Sequence, residues 1–562
     1  MPKNPYMKGL SILTMRFCLL FLCGAAVFSL PKQKILYPGD PLYDSLAILA
    51  MEQGIVFLAG STLTVMQAEQ LLDRVEPDSL SPPGLVRYNR VRAGLAEDGA
   101  FSLSSSILRF DLDPGLQPEL YFKSNQDLSW VYGRNQRLPF FPFSTAFSLS
   151  SYLTLESDLY FGENRRLSDA HDNYFNFMYD KMIDRVQNID TNLPKRAYIS
   201  AGYPFRNGMG INFRLGIGDD FIGRTRTGSI ILSDNMKEPS YGNLTIYTPY
   251  LKYTADVMQL EVTKYFYLHR ININVFDRLS FSMVEGVMVN APFEIRFLNP
   301  LMIFHGLTAW ETYRMKGGYN DQFGGTGDRV GSFLGLIFDG RIWKYGRLYG
   351  MAAMNQLELP GVERGPESTT PDGFAFQGGY ESFLPLESGY LNFGLEGVYT
   401  FPYMYVLESV HWSFVRESKE VSNPELIREW TGTPFGPDSI AGTVWAGYQS
   451  SAPWSLYLSF LMVVQGEKSG TNIFDSPPYF PVTHEDILVT TPTGTPTYTY
   501  VVSAEGKWSP RDWLRLSLRP AFKIVAGPAR YVNYTYTAER GSGFEVSLSA
   551  QIMPRIYPQG KR

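Results

Sequence analysis

The sequence predicts an all-β protein: a transmembrane antiparallel β-barrel preceded by a small N-terminal helical module. Three observations lead to this prediction. The composition, with 51 Gly, 36 Tyr, 38 Phe and only 19% charged residues, favours strands and turns over helices. Apolar residues recur at every second position through most of the chain, and short polar turns alternate with long loops between these segments.

Residues 1 to 29 have the pattern of a secretory signal peptide. An apolar core at 17 to 30 is too short to span a bilayer comfortably, and small residues near Ser29 offer a cleavage site. A retained anchor helix is the alternative interpretation. The basic residues of this segment are Lys3, Lys8 and Arg16.

The mature chain is expected to lack cysteine, because Cys18 and Cys23 both lie in the predicted signal peptide. Neither a disulfide framework nor a thiolate metal site is then available. Loss of the three basic signal residues takes the formal net charge from -5 to -8, which argues against a nucleic-acid partner. After the signal, no apolar run approaches the ~20 residues of a spanning helix, so only a barrel could place this chain in a membrane.

Residues 30 to 97 predict a helical module. A first helix stops at Gly54, and a second begins with a capping-box pattern of Thr64 and Gln67. A third starts with two prolines at residues 82 and 83, where the first turn tolerates them. This periplasm-side module is the candidate plug for a wide lumen.

The barrel is predicted to comprise residues 98 to 562. One face of each alternating segment is apolar and often aromatic, while the other repeatedly carries charge. A soluble sandwich would alternate in the same way, so this pattern alone does not place the strands in lipid. The clearest segments are 147–161, 390–401, 497–508, 513–524 and 543–552.

The connections between strands favour the membrane barrel, because short turns at one end and long loops at the other are typical of outer-membrane barrels. With two earlier hairpins at 112–117 and 204–208, the chain holds about 16 to 18 strands. The short turns are 275–278, 343–346, 385–389, 450–453 and 509–512, and the long loops are 306–331, 359–373, 416–440 and 466–495.

The segment 293 to 304 is an apolar run interrupted at Asn299-Pro300. We expect the residues before the interruption to form a strand, with Phe293, Ile295 and Phe297 toward lipid and the alternate residues toward the lumen. Proline cannot donate to a ladder, so the strand ends there. Residues 301–304 are expected to fold inward as a lid.

Two groups of side chains are candidates for function. Charged residues on the predicted inner face either pair to hold the interior together or contribute to a pathway or a plug contact. Loop residues could contact a glycan, the aromatic ones by stacking on sugar rings, or the aromatics could belong to the membrane-interface girdle. The lumen-facing set is Arg214, Arg296, Glu396, Arg515 and Arg519, and the glycan-contacting set is Trp310, Tyr313, Tyr319, Arg329 and Trp430.

No catalytic, cofactor-binding or metal-binding residue is predicted. The five histidines lack metal-ligand spacing, and no Gly-x-Ser-x-Gly elbow is present. The glycine-rich residues 324–331 lack the Lys-Ser/Thr ending of a phosphate loop and precede a strand pattern. We therefore expect a protein that is not an enzyme, and a barrel hydrolase is the weakest alternative.

Six segments, in order, resemble the capsule assembly Wzi family of outer-membrane β-barrels, and the helical module looks similar as well. The resemblance implies a barrel of about 18 strands, as a closed antiparallel fold can hold, plugged and displaying a surface that holds polysaccharide. The segments are GIGDDFIGRTRTGSIILSDN (216–235), HRININVFDRLSFSMVEGV (269–287), EIRFLNPLMIF (294–304), SFLGLIFDGRIWKYGRLYG (332–350), EGVYTFPYMYV (396–406) and GTPFGPDS (432–439).

These observations predict a non-catalytic barrel in the outer membrane of a diderm bacterium that binds or anchors capsular or other long-chain polysaccharide. The mechanism expected is multivalent contact by loop aromatics, Arg and Asp. The alternative is a channel for sugars or apolar nutrients with the helical module as a movable plug. Expected partners are outer-membrane lipid, surface polysaccharide and the barrel-assembly machinery during biogenesis, with no nucleic acid.

Overall fold

The computed structural model contains three α-helices and twenty-five strands among the residues that it describes, and most of the strands join one closed antiparallel barrel. The predicted fold class is confirmed. The predicted signal peptide lies outside the described residues. Those residues are 31–55, 61–96, 99–105, 107–129, 131, 138–161, 174–176, 194, 196–236, 238–275, 278–299, 302–304, 330–358, 364–419, 426–475, 478–528 and 540–553.

The three predicted helices are present as α1 (Pro41–Gln53), α2 (Val65–Leu72) and α3 (Pro82–Leu95). Gly54 ends α1 in the left-handed region at φ 80°, where glycine carries no Cβ penalty. Thr64 and Gln67 form the predicted capping box of α2. None of the helices in the described part of the chain is long and apolar enough to cross a membrane.

The strands are numbered in chain order. They are β1 (Ile35–Leu36), β2 (Leu63–Thr64), β3 (Phe101–Ser104), β4 (Leu108–Pro114), β5 (Glu119–Lys123), β6 (Phe141–Leu149), β7 (Leu153–Phe161), β8 (Tyr174–Phe175), β9 (Arg196–Pro204), β10 (Gly210–Ile217), β11 (Ser240–Tyr247), β12 (Leu251–Glu261), β13 (Lys264–Val275), β14 (Leu279–Asn290), β15 (Val330–Trp343), β16 (Gly346–Gln356), β17 (Gly373–Leu386), β18 (Gly389–Thr400), β19 (Val415–Lys419), β20 (Leu426–Trp430), β21 (Ser439–Ser450), β22 (Trp454–Gln465), β23 (Thr497–Arg511), β24 (Leu514–Ala526) and β25 (Gly541–Ile552).

The barrel closes where β25 pairs with β5. β4 and β5 form one continuous strand of the barrel wall. Between them, the Gly115 N–H donates to the Pro142 carbonyl at 2.9 Å, and Leu116 forms a β-bridge with Ile552. The predicted hairpin at 112–117 is therefore wrong, since pairing continues through Pro114 and Gly115. If β4 and β5 are counted as one strand and the short β3 and β8 are left out, eighteen strands form the barrel within the described residues.

The predicted alternation is seen on β24. Leu518, Phe522 and Ile524 point outward and are exposed, while Ser517 and Lys523 point inward and are buried. The outer face of this strand is apolar, as a lipid-embedded barrel requires, and its inner face is polar.

The predicted short turns connect strands at one end of the barrel, for example between β13 and β14 and between β17 and β18. Exposed tryptophans gather at this turn end, where aromatic rings form the interfacial girdle of a membrane barrel. They are Trp343, Trp454, Trp508 and Trp513.

The segment after β14 corrects one prediction. β14 ends at Asn290, and Ile295–Leu298 form a short 3-10 helix instead of a strand. Phe297 packs on Tyr267 with ring centroids 5.0 Å apart. Tyr267 lies on the outward face of β13, because Arg270 and Asn272, on the opposite parity, bond side chains inside the lumen wall.

Residues 291–299 and 302–304 thus fold over the outside of the barrel wall. Phe304 is buried there and stacks on the outward-facing His269 at 4.4 Å. The expectation that this part of the chain folds inward as a lid is wrong. The physical reason is the apolar outward face of β13 and β14, where Val287 and Val289 offer these rings a surface to cover.

Candidate functional site

The loop end of the lumen is filled by the chain itself. The segment 218–239, which joins β10 to β11, folds into the barrel and places Ile230, Ile231 and Leu232 in a fully buried cluster. The inward-facing Phe333 of β15 and Tyr405, from the connection after β18, belong to the same cluster. A hydrophobic core therefore lies inside the barrel at this end.

Polar side chains of the inner wall hold the backbone of this segment. The Glu396 carboxylate accepts hydrogen bonds from the backbone N–H groups of Arg226 at 2.8 Å and Thr227 at 2.9 Å. Gln377 accepts from the Ile230 N–H at 3.1 Å and donates to the Gly228 carbonyl at 2.9 Å. Buried backbone groups need such partners, so the wall and the folded-in segment specify one another.

The helical module occupies the turn end of the lumen. Glu52 of α1 accepts a hydrogen bond from the Tyr390 hydroxyl on β18, and its other oxygen accepts from the Ser81 N–H at 2.5 Å. Arg87 of α3 donates to Gln449 of β21 at 2.9 Å. The Glu52, Arg87 and Tyr390 side chains are buried, so buried polar contacts join the module to the wall.

A chamber of about 530 Å³ lies between these two fillings. It is lined by the chain around the start of α1, by the folded-in segment, and by inward side chains of six strands. Sites for small ligands commonly measure about 300–1,000 Å³. Its lining includes Asp40, Asp44, Arg226, Trp445 and Tyr457.

Most cations around the chamber are neutralised. Arg347 pairs with Asp339 at 2.7 Å and with Glu381 at 3.5 Å, and Arg224 pairs with the same Glu381 at 3.2 Å. These groups form a ladder of alternating charge on the inner wall. Such a ladder holds the interior together rather than offering a free charge to a ligand.

Arg226 differs from its neighbours. Its guanidinium carbon lies 5.7 Å from the centre of the Trp445 ring and 5.8 Å from the centre of the Tyr457 ring. The side chain is exposed and makes no ion pair with any described residue. The site therefore combines a cation with two aromatic faces.

Two acidic side chains face this chamber from the start of α1. Burial raises the pKa of the Asp44 carboxyl above its usual value, and the nearby Arg224 opposes that rise. Burial also raises the pKa of Asp40, against a hydrogen bond from the Tyr37 N–H at 2.8 Å. Both carboxyls can accept hydrogen bonds from a ligand that carries hydroxyl groups.

The predicted lumen-facing residues have the following positions. Arg214 donates to Thr62, beside α2, at 2.7 Å, and Arg519 donates to Glu119 at 2.5 Å across the closing seam. Arg515 lies on the same face of β24 as Arg519. The strand predicted around Arg296 is absent, since its backbone belongs to the 3-10 helix outside the wall.

The predicted glycan contacts are not brought together by the described residues. Trp430 is 1% exposed and packs between Tyr405 and Phe474, so its ring offers no face to a sugar and that prediction is corrected. The others, Trp310, Tyr313, Tyr319 and Arg329, lie outside the described residues.

The sequence analysis did not select Arg226, Trp445 or Tyr457. The alternation of inward and outward residues could have placed Trp445 in the lumen, because on β21 it lies on the same face as the inward-facing Thr443 and Gln449. No sequence pattern indicates that the loop carrying Arg226 folds back into the lumen. Across the described part of the chain, no three His, Cys, Asp or Glu residues cluster as a metal site.

No family model and no curated protein sequence matches this chain. Its fold is similar to that of Wzi from Escherichia coli, an outer-membrane protein involved in group 1 capsule assembly and described as a carbohydrate-binding β-barrel. The identity is 11% and the TM-score 0.55, over 92% of this chain and 98% of that one. This likeness shows the shared outer-membrane β-barrel fold.

Two further solved barrels cover less of the chain. OprD of Pseudomonas aeruginosa matches at 10% identity and a TM-score of 0.39, over 80% of this chain and 96% of that one. The outer-membrane channel DcaP of Acinetobacter baumannii matches at 7% identity and a TM-score of 0.35, over 81% of this chain and 100% of that one. At these TM-scores neither likeness bears on the function.

Proposed function

We propose that this protein is a non-catalytic outer-membrane β-barrel, similar in role to Wzi, that binds or anchors capsular or other long-chain surface polysaccharide. The observation that carries the proposal is the filling of the lumen from both ends by the chain itself. A barrel whose interior is a core serves as a rigid scaffold for its loops. An open pore would need a water-filled lumen.

The polysaccharide would be held at the loop end, opposite the tryptophan girdle of the turns. The residues proposed for this contact are Trp310, Tyr313, Tyr319 and Arg329, because aromatic faces stack on sugar rings and Arg donates to hydroxyls and acidic groups. Many weak contacts along one polymer add up to strong retention. Outer-membrane lipid surrounds the barrel, and the barrel-assembly machinery is the partner proposed for insertion.

A channel for sugars or apolar nutrients is the second candidate. The chamber of about 530 Å³ inside the lumen favours it, because a transported solute needs a site along its path. In that role the helical module would have to leave the lumen, and its buried contacts through Glu52 and Arg87 oppose such a movement. We therefore place it second.

Purified protein in liposomes separates the two candidates. We expect retention of the protein on immobilised surface polysaccharide from its own host, and no sugar-dependent swelling of the liposomes. Combined replacement of Trp310, Tyr313 and Tyr319 by Ala should abolish the retention, whereas Trp454→Ala at the turn-end girdle should not. Swelling without retention would replace attachment by transport.

A further inference from the structure

The chamber inside the barrel has the composition of a site for one saccharide unit. Its volume of about 530 Å³ falls within the range of small-ligand sites. Two aromatic rings, Trp445 of β21 and Tyr457 of β22, line one wall, and the Asp40 and Asp44 carboxyls line the part nearest α1. Rings and hydrogen-bonding acceptors together recognise the apolar faces and hydroxyl groups of sugars.

The two rings are held in position by the wall. The Trp445 indole N–H donates to the Asn392 side-chain oxygen at 3.0 Å, and Gln449 donates to the Tyr457 hydroxyl. Gln449 is in turn bound by Arg87 of the helical module. Rings fixed in this way lose little conformational freedom when a ligand binds.

Arg226 is the charged side chain of the chamber that is available to a ligand. Its backbone is anchored by Glu396, while its guanidinium reaches the two rings and has no carboxylate partner among the described residues. A guanidinium binds a carboxylate through two parallel hydrogen bonds. Arg224 and Arg347, by contrast, are already occupied by Glu381 and Asp339.

The charges that line the chamber favour a ligand with one negative group. Arg226, which has no carboxylate partner among the described residues, matches one carboxylate on the ligand. A phosphorylated sugar would bring about two negative charges into a chamber that also contains Asp40 and Asp44, where like charges repel. A neutral sugar would offer Arg226 no opposite charge.

We propose that this chamber binds a saccharide unit that carries one carboxylate, a hexuronic acid, with the carboxylate on Arg226 and the hydroxyl groups on Asp44 and Asp40. The inference rests on the proposed function, because it names the class of saccharide that the barrel recognises. It also places a binding site inside the barrel in addition to the loop surface.

The test is calorimetric titration of the full-length protein in detergent with galacturonate, galactose and glucose 1-phosphate, three single saccharide units that carry one, no and about two negative charges. We expect galacturonate to bind about tenfold or more tightly than the other two, and Arg226→Gln to weaken it by about tenfold or more. The matched control, Arg206→Gln, changes an exposed turn residue and should leave the affinity unchanged. Heat-modifiable gel migration checks that each variant is folded.

Equal affinity for galacturonate and galactose, tighter binding of the phosphate, or unchanged affinity in folded Arg226→Gln would overturn the chamber assignment. Retention on the host polysaccharide, measured on the same preparations, reports on the proposed function separately. Retention without galacturonate binding refutes the chamber alone. Galacturonate binding without retention refutes the attachment role and leaves the site in place.

Discussion

The Glu396 carboxylate on β18 accepts hydrogen bonds from the backbone N–H and the hydroxyl of Thr227, which lies in the segment folded into the lumen. A wall residue of the barrel therefore determines the path of a loop. The same carboxylate accepts from the Arg226 N–H at 2.8 Å, which sets the position of the unpaired guanidinium. Together with Gln377, this side chain fixes the folded-in segment and the position of Arg226 in the chamber.

Replacing Glu396 by Ala should release the folded-in segment. Hydrogen bonds to a charged acceptor are worth about 1.5–3 kcal/mol, and the variant removes the acceptor of the Arg226 and Thr227 N–H groups. We expect faster amide exchange confined mainly to 218–239, measured by mass spectrometry. Glu505→Ala is the control, because Glu505 pairs with Lys507 in a largely exposed ion pair. Equal exchange of 218–239 in both variants would contradict the role of Glu396.

Replacing Tyr390 by Phe should loosen the helical module at the turn end. The variant removes the hydroxyl that donates to the buried Glu52 of α1, at a cost of about 1–3 kcal/mol. Amide exchange in α1 should rise, while Tyr399→Phe on the outward face of the same strand should leave it unchanged. An unaltered exchange rate in Tyr390→Phe would show that other contacts hold α1.

Replacing Trp430 by Ala should destabilise the barrel strongly, because the ring is buried in the lumen core between Tyr405 and Phe474. Truncation of a buried Trp costs about 3–5 kcal/mol. Urea unfolding followed by heat-modifiable migration measures the difference. Trp454→Ala, at the exposed girdle, is the matched control and should cost less. Similar midpoints for both variants would mean that Trp430 is not a core residue.

Asp44 predicts a dependence of stability on pH. Burial raises its pKa in the folded state above the ordinary value of 3.8. A raised carboxyl pKa contributes stability that is fully present below the unfolded pKa and lost as pH rises through the folded pKa. Asp44→Asn should therefore stabilise the protein at pH 7 relative to the parent, with a smaller gain at pH 4. Asp78→Asn is the control, because Asp78 is exposed and lies in a 3-10 helix without buried residues.

A gain from Asp44→Asn that was equal at the two pH values would contradict this linkage. Desolvation also raises the pKa of Asp40 in the folded state, so the double variant should flatten the pH dependence further. Unfolding midpoints in urea at the two pH values provide the measurement.

Features set by local chemistry could be predicted from the sequence. The capping box of Thr64 and Gln67, the left-handed Gly54 and the period of two in β18 and β24 depend on residues close together in the chain. The predicted hairpin at 112–117 failed for the opposite reason. Proline and glycine there favour a turn, but pairing with Pro142 and Ile552, far along the chain, keeps this strand extended.

The path of the chain after β14 and the chamber also depend on distant partners. An apolar run such as 293–304 can cover an inner or an outer surface, and only the packing of Phe304 on His269 decides between them. Likewise, Arg226 becomes a candidate ligand contact only after its loop meets Glu396, 170 residues away. The periodicity of apolar residues along the sequence does not report which distant residues come into contact.

The most direct test of the central claim is the distribution of surface polysaccharide in the host after deletion of this protein. Cell-bound and released polysaccharide are measured separately, and their sum gives the amount synthesised. The attachment role predicts that the cell-bound fraction falls, the released fraction rises and the sum stays unchanged. An unchanged cell-bound fraction, with impaired growth on a sugar or an apolar nutrient, would contradict it.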